Sequence, residues 1–174
     1  MKFLRKLAAV LMAAALVTPA IFAQDATYLT DVYLQRGTGR VVSQAGGGAI
    51  YNQRFRVTIA NVNAGVTLLP ARANLQYRLV DANMIAVGGA VATCTAVVIN
   101  ATQAAGSVTL VSNAVAALTQ SALLRAGAAN STILADGASF VPNDVNTAIT
   151  LAKTGSSCAT ATNVDVILSY AIES

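Results

Sequence analysis

The carboxylates are the first place to look for chemistry in this chain, because it contains no histidine. That absence removes the commonest general base, the usual serine triad and most zinc or haem sites. A glycosidase-like acid pair would have to come from Asp25, Asp31, Asp81, Asp136, Asp144 and Asp165, since the lone glutamate, Glu173, sits beside the carboxyl terminus. Most of these aspartates fall in expected turns or on exposed strand positions, where the side chain serves the backbone. Serine nucleophiles fare no better. Gly137-Ala138-Ser139-Phe140-Val141 lacks the closing glycine of a nucleophile elbow. Lys153 is the only lysine after the amino-terminal segment, and no serine precedes it by three residues. Gly46-Gly47-Gly48 is not followed by Lys-Ser/Thr, so it reads as a flexible turn and not as a phosphate loop. No catalytic or cofactor-binding residue is assigned, and a non-enzymatic role is expected.

Metal chemistry is equally thin. Asp136, Asn143, Asp144 and Asn146 crowd one loop, but their spacing matches no calcium-loop pattern, and calcium wants six to eight oxygens. Turn chemistry accounts for them, so no metal site is assigned. Asn100 and Asn130, with Thr102 and Thr132, form glycosylation sequons that matter only in a host that glycosylates exported proteins. Cys94 and Cys158 are the only cysteines. In an oxidising compartment they are expected to pair, closing a loop that stabilises the fold by about 4 kcal/mol in the chain-entropy model.

Arginine is unevenly placed. Arg36, Arg40, Arg54, Arg56, Arg72 and Arg78 all lie in the first half of the chain, and Arg54 and Arg56 share one face of an expected strand. A solvated face is one account of them. The other is a candidate interaction face, Arg54, Arg56 and Arg78, turned toward acidic glycans, lipid headgroups or an acidic patch on a neighbouring subunit.

The elements that must carry these residues begin after a secretory signal. Lys2, Arg5 and Lys6 form a basic region, Leu7 to Val17 an apolar run, and Thr18-Pro19 a break before Ile21-Phe22-Ala23. Cleavage after Ala23 is expected, and the competing reading is a membrane anchor. Residues 24–174 then form a single domain with no further segment long enough to span a bilayer. Three of the eleven bases and none of the seven acids lie in the first 23 residues, leaving eight against seven. The basicity is therefore mostly a targeting feature, and nucleic-acid binding is not expected.

Residues 24–174 are rich in Ala, Val, Thr, Asn, Ser and Gly, the composition of exported β-proteins. Thr27 to Leu34 alternates, with Tyr28, Thr30, Val32 and Leu34 on one face. Tyr51, Phe55, Val57 and Ile59 alternate against Asn52, Arg54, Arg56 and Thr58. Asn61 to Gly65 predicts a turn, Val66 to Leu69 a short strand, and Leu75 to Val80 another. Asp81-Ala82-Asn83 is read as a turn before a short strand at Met84–Val87, and Val91 to Ile99 as a long strand holding Cys94. Ser112 could cap a helix over about 112–126, ended by Gly127. Short strands are expected near Thr132–Ala135 and Thr147–Ala152. The last strand places Val164, Val166, Leu168, Tyr170 and Ile172 on one face. Together these predict an all-β, β-sandwich or jelly-roll-like domain with one short helix and one disulfide.

Gly65-Val66-Thr67-Leu68-Leu69-Pro70-Ala71, Tyr77-Arg78-Leu79-Val80-Asp81, Ala86-Val87-Gly88-Gly89, Ala135-Asp136-Gly137-Ala138-Ser139-Phe140 and Val164-Asp165-Val166-Ile167-Leu168-Ser169-Tyr170 carry a resemblance. The chain resembles uncharacterised small all-β proteins of phage particles and bacterial genomes. None of the motifs names a chemistry, and the signal segment and cysteine pair depart from a cytoplasmically assembled phage protein. The last strand is also similar in architecture to the ends of chaperone–usher pilins, though those place both cysteines early.

Two readings compete. One is an exported structural protein, a self-assembling subunit of a surface, filament or particle, with a homo-oligomer or polymer as its partner. Its assembly strand would be near Tyr28–Leu34 or the face Val164, Val166, Leu168, Tyr170 and Ile172. The other is a secreted monomeric β-sandwich that binds a glycan or other ligand, which the lack of tryptophan disfavours. Either would be secreted, periplasmic or on the cell surface.

Overall fold

A computed structural model of the chain describes residues 49–173. The signal segment, the Thr27–Leu34 strand, Arg36, Arg40, Asp25, Asp31 and the glycine turn at 46–48 lie outside the described residues.

The chain runs through β1 (Ile50–Thr58), α1 (Ile59–Ala64), β2 (Val66–Leu69), β3 (Gln76–Val87), β4 (Ala92–Gln103) and β5 (Gly106–Ala114). It continues through β6 (Leu124–Arg125), β7 (Ser131–Ile133), β8 (Ile149–Ala159) and β9 (Asn163–Glu173). These build two antiparallel sheets, one in the order β1-β9-β3-β6 and the other β2-β8-β4-β5-β7. Period-two alternation explains the layering. On the first sheet Val57, Leu79, Met84, Val164, Val166 and Leu168 are buried, and on the second Val97, Ile99, Val111, Ile149 and Leu151 are. All belong to one apolar cluster. The expected all-β sandwich is the observed fold.

Three expectations need correction. The helix over 112–126 is absent. Ser112 and Asn113 belong to β5, paired with Val98 and Val97 of β4 and with Thr132 and Ser131 of β7. Only Val115–Ala117 forms a 3-10 turn. Beyond it, the Leu118 and Thr119 carbonyls accept from the amides of Val91 and Ala86, each at 3.1 Å. Sheet pairing and these bonds outweigh the alanines' helix preference, a few tenths of a kcal/mol per residue. Gly127 instead adopts φ +77° in the β6–β7 connection. Asp81-Ala82-Asn83 is not a turn but part of continuous β3, paired with Ser169, Leu168 and Ile167 just after a bulge at Val80, where the register against β9 shifts between Leu79 and Asp81. The Asp81 carboxylate accepts the Ala82 amide at 2.9 Å, so its turn-like chemistry serves the bulge. Asn61 to Gly65 is mostly helix, not turn. Thr58 Oγ1 accepts the Asn61 amide at 3.3 Å, and Gly65 ends α1 at φ +81°.

Cys94 and Cys158, 64 positions apart in sequence, form the expected disulfide. It joins β4 to β8 within one sheet, where their register slips on both sides of Cys94. Asn63 of α1 clasps the same place, donating to the Cys158 carbonyl at 3.0 Å and accepting the Cys158 amide at 2.7 Å. Covalent and amide ties thus hold a stretch where the ladder is broken. Replacing both cysteines with alanine should lower the unfolding free energy by about 4 kcal/mol in the chain-entropy model, read from urea titration against the oxidised parent.

The β4–β5 hairpin turns through Ala104 and Ala105, at φ 50° and 60°. Left-handed alanine costs roughly 1 kcal/mol or more per residue, which is why such turns prefer Asn-Gly. Asp144 offsets that strain: its carboxylate accepts the Ala104 amide at 3.0 Å and the Ala105 amide at 2.7 Å. Ala104→Asn with Ala105→Gly should therefore raise the thermal midpoint by about 5 °C. Calorimetry of the oxidised protein checks this, and an unchanged or lower midpoint would contradict it.

Candidate functional site

Each sheet edge exposes unpaired backbone donors and acceptors unless it is short, covered or charged. Among the described residues the sheets end on β6 with two residues, β7 with three, β2 with four and β1 with nine. Three of these outermost strands are short and cover only part of the strand beside them: β6 pairs β3 at Asn83 and Met84, β7 pairs β5 at Val111 to Asn113, and β2 pairs β8 at Ile149 to Leu151. β1 is the long one. Its far side is paired with β9 from Ile50↔Ala171 to Thr58↔Asn163.

The two faces of β1 differ sharply. Tyr51, Phe55 and Val57 point inward, opposite Tyr170, Val166 and Val164. Tyr51 stacks on Tyr170 with ring centres 5.4 Å apart, and Tyr77 meets Tyr170 edge-on at 5.9 Å. The Tyr77 hydroxyl donates to the Pro70 carbonyl at 2.6 Å. Ile50, Asn52, Arg54 and Arg56 point outward, and Ile50 is 57% exposed.

The predicted arginine trio does share one surface. In register, Arg56 lies beside Asp165 and Ile85, Arg54 beside Ile167 and Asn83, and Arg78 beside Ala171 and Ile50. All sit on the outer face of the first sheet. The structure also supplies what the sequence reading did not foresee, a carboxylate for each. Asp165, completely buried, accepts from Arg56 Nε at 2.9 Å and Arg56 Nη2 at 3.0 Å, and also from Arg54. Glu173 pairs with Arg78, and Asp81 with Arg125 at 3.1 Å. The surface is therefore a lattice of mixed charge with a small positive excess. Register was the missing signal, since Asp165 is 109 residues from Arg56 in sequence.

The other candidate assembly face behaves differently. Val164, Val166, Leu168 and Tyr170 are buried, with Ile172 packed against the same core. β9 is hydrogen-bonded on one side to β1 and on the other to β3. An interior strand has no edge to offer, so assembly through Val164–Ile172 is set aside and β1 takes its place.

The loop once weighed for calcium is occupied by backbone. Asn143 Oδ1 accepts the Tyr77 amide at 2.5 Å, Asn146 Oδ1 accepts the Asn74 amide at 2.6 Å, and Asp144 serves the alanine turn. Among the described residues no group of three or more Cys, Asp or Glu could hold a metal ion, and no helix is long and apolar enough to cross a membrane. Ser139, buried, donates to the Leu110 carbonyl and accepts the Leu134 amide at 2.7 Å, which is a loop anchor and not a nucleophile. The buried amide of Asn113 and hydroxyl of Ser131 lie opposite one another with no hydrogen-bond partner. No protein family, curated protein or solved structure matches the chain.

Hydrogen bonding from Arg56, joined by Arg54, holds the Asp165 carboxyl at about 2, below its ordinary 3.8, against the opposing pull of burial. The sign follows directly. A carboxylate with a lowered folded-state value contributes stability that is complete above about 4 and is lost as pH falls toward about 2. Both arginines are more than half exposed, so screening trims the contribution to about 1–2 kcal/mol. Asp165→Ala should cost that much at pH 7 and flatten the stability profile between pH 4 and 2, as read by denaturant titration across that range.

Proposed function

We propose that this chain is an exported, non-enzymatic structural protein whose copies associate into a surface, filament or particle. The observation that carries the reading is β1: a nine-residue outermost strand with an exposed apolar end at Ile50, where the other outermost strands among the described residues have two to four residues. An edge of that length is a template for another strand.

Other features agree with it. The disulfide suits an oxidising compartment outside the cytoplasm. The described aspartates with bonding partners serve arginines or backbone amides, leaving none of them poised as an acid–base pair. A ligand-binding module has less to draw on. Tyr77 and Tyr170 are buried, and Tyr51 and Phe55 pack against the core, so these rings form no platform for a sugar. The arginine face is largely neutralised by its own carboxylates.

Light scattering and negative-stain imaging of residues 24–174 under oxidising conditions test the reading. The expected outcome is a defined oligomer, ring or filament. A protein that stays strictly monomeric at high concentration would overturn it.

A further inference from the structure

Building on that reading of β1 as an assembly edge, we propose that residues Thr27–Leu34 of one copy add as a strand to the β1 edge of a second copy. The segment and the edge are complementary in two independent ways. In sequence, Tyr28, Thr30, Val32 and Leu34 alternate with Leu29, Asp31 and Tyr33, so in an added strand the two sets would fall on opposite faces. β1 presents Phe55 and Val57 toward the core and Arg54 and Arg56 outward. Neighbouring strands align side chains in rows, so setting Asp31 beside Arg54 settles every other position by parity. In either strand direction, that one register turns Tyr28, Val32 and Leu34 to the inner side, where they prolong the apolar layer beyond Phe55 and Val57. A shift by one residue would put Asp31 over the core and the apolar face outside.

The charge is suited to this. Arg54 and Arg56 share the single carboxylate of Asp165 and remain 60% and 58% exposed. One positive charge is left without a match in that row, and Asp31 supplies the opposite sign. Two copies of β1 pairing with each other would instead bring Arg54 and Arg56 of each against those of the other. The length of chain also favours exchange between copies. Fifteen residues, 35–49, separate the segment from β1. Strands paired within one hairpin are usually joined by two to five residues. A connection of fifteen reaches at most about 50 Å, enough to carry the segment to a neighbour.

The test uses oxidised chains covering residues 24–174 with three single substitutions, Asp31→Arg, Arg54→Asp and Val32→Pro. Asp31→Arg and Val32→Pro leave both arginines on Asp165 and should melt near the parent. Arg54→Asp sets a second carboxylate near buried Asp165 and should melt lower, so assembly is compared at a temperature where circular dichroism shows every variant folded. Proline removes a ladder donor, and Asp31→Arg and Arg54→Asp each set like charges opposite, so each should raise the concentration needed for assembly about tenfold or more. Mixing Asp31→Arg with Arg54→Asp should restore assembly, because every contact between unlike copies again pairs opposite charges.

The outcomes separate cleanly. If the parent assembles and all three variants assemble as it does, the inference is overturned while the assembly reading stands. If the variants are impaired but mixing rescues nothing, the segment folds back on its own chain and exchange between copies is overturned. A parent that is itself monomeric overturns both.

Discussion

Everything in the first sheet hangs on the position of β9 between β1 and β3. Eleven residues of one strand hold backbone pairing on both sides, present Val164, Val166, Leu168 and Tyr170 to the core, and carry Asp165 outward. A strand with that many duties cannot be released without dissolving the sheet. The constraint decides where interaction can occur, because it turns the most recognisably strand-like segment into the least available one. It also explains how a completely buried carboxylate is tolerated. Asp165 is covered by the same two arginines that bind it, and they reach it only because β1 lies in register beside β9.

The pattern of what could be read from residues alone follows from range. Strands whose faces differ in polarity were legible: the alternation of Tyr51 to Thr58 and of Val164 to Ile172 maps directly onto β1 and β9. The disulfide was legible because two cysteines permit one pairing. What local composition misjudged were places where distant partners override it. Ser112 to Ala126 looks helical in isolation, but Ser112, Asn113 and Ala114 are committed to Val98, Val97 and Ala96. Asp81-Ala82-Asn83 has the composition of a turn, and a bulge in a long strand uses the same short polar side chains for the same local bonds. The arginine face was half legible. Period two put Arg54 and Arg56 together, whereas their neutralisation by Asp165 depends on a pairing between opposite ends of the domain.

Strain in this fold is relieved at long range. The Ala104-Ala105 turn has no local advantage, since neither residue favours positive φ. It persists because Asp144, nearly forty residues later, bonds both amides while its own amide donates to the Thr102 carbonyl at 2.7 Å. The slipped β4–β8 ladder is held the same way, by a disulfide and by Asn63 from a helix outside that ladder. The loops therefore act as braces for the strands, and their polar side chains are spent on the backbone. In a chain rich in Asn, Thr and Ser, much of the short polar chemistry thus goes to bracing the backbone.

Arginine on an edge strand invites a different explanation from assembly, because charge is one of the ordinary ways to keep edges apart. The two roles make opposite demands on the charge. Repulsion works best when it is unpaired, identical on every copy and carried at the edge of the strand. Arg54 and Arg56 instead share the carboxylate of Asp165 on β9, which offsets one of their two charges and leaves a single positive charge in that row. What remains exposed at the amino-terminal end of the edge is Ile50, an apolar side chain and a poor guard. On the proposed assembly reading, an edge strand this long among the described residues, with part of its charge offset and its apolar end exposed, would discriminate among incoming strands more than exclude them. On that reading, the strand such an edge would select is one that brings an acid to the outer row and apolar groups to the inner one.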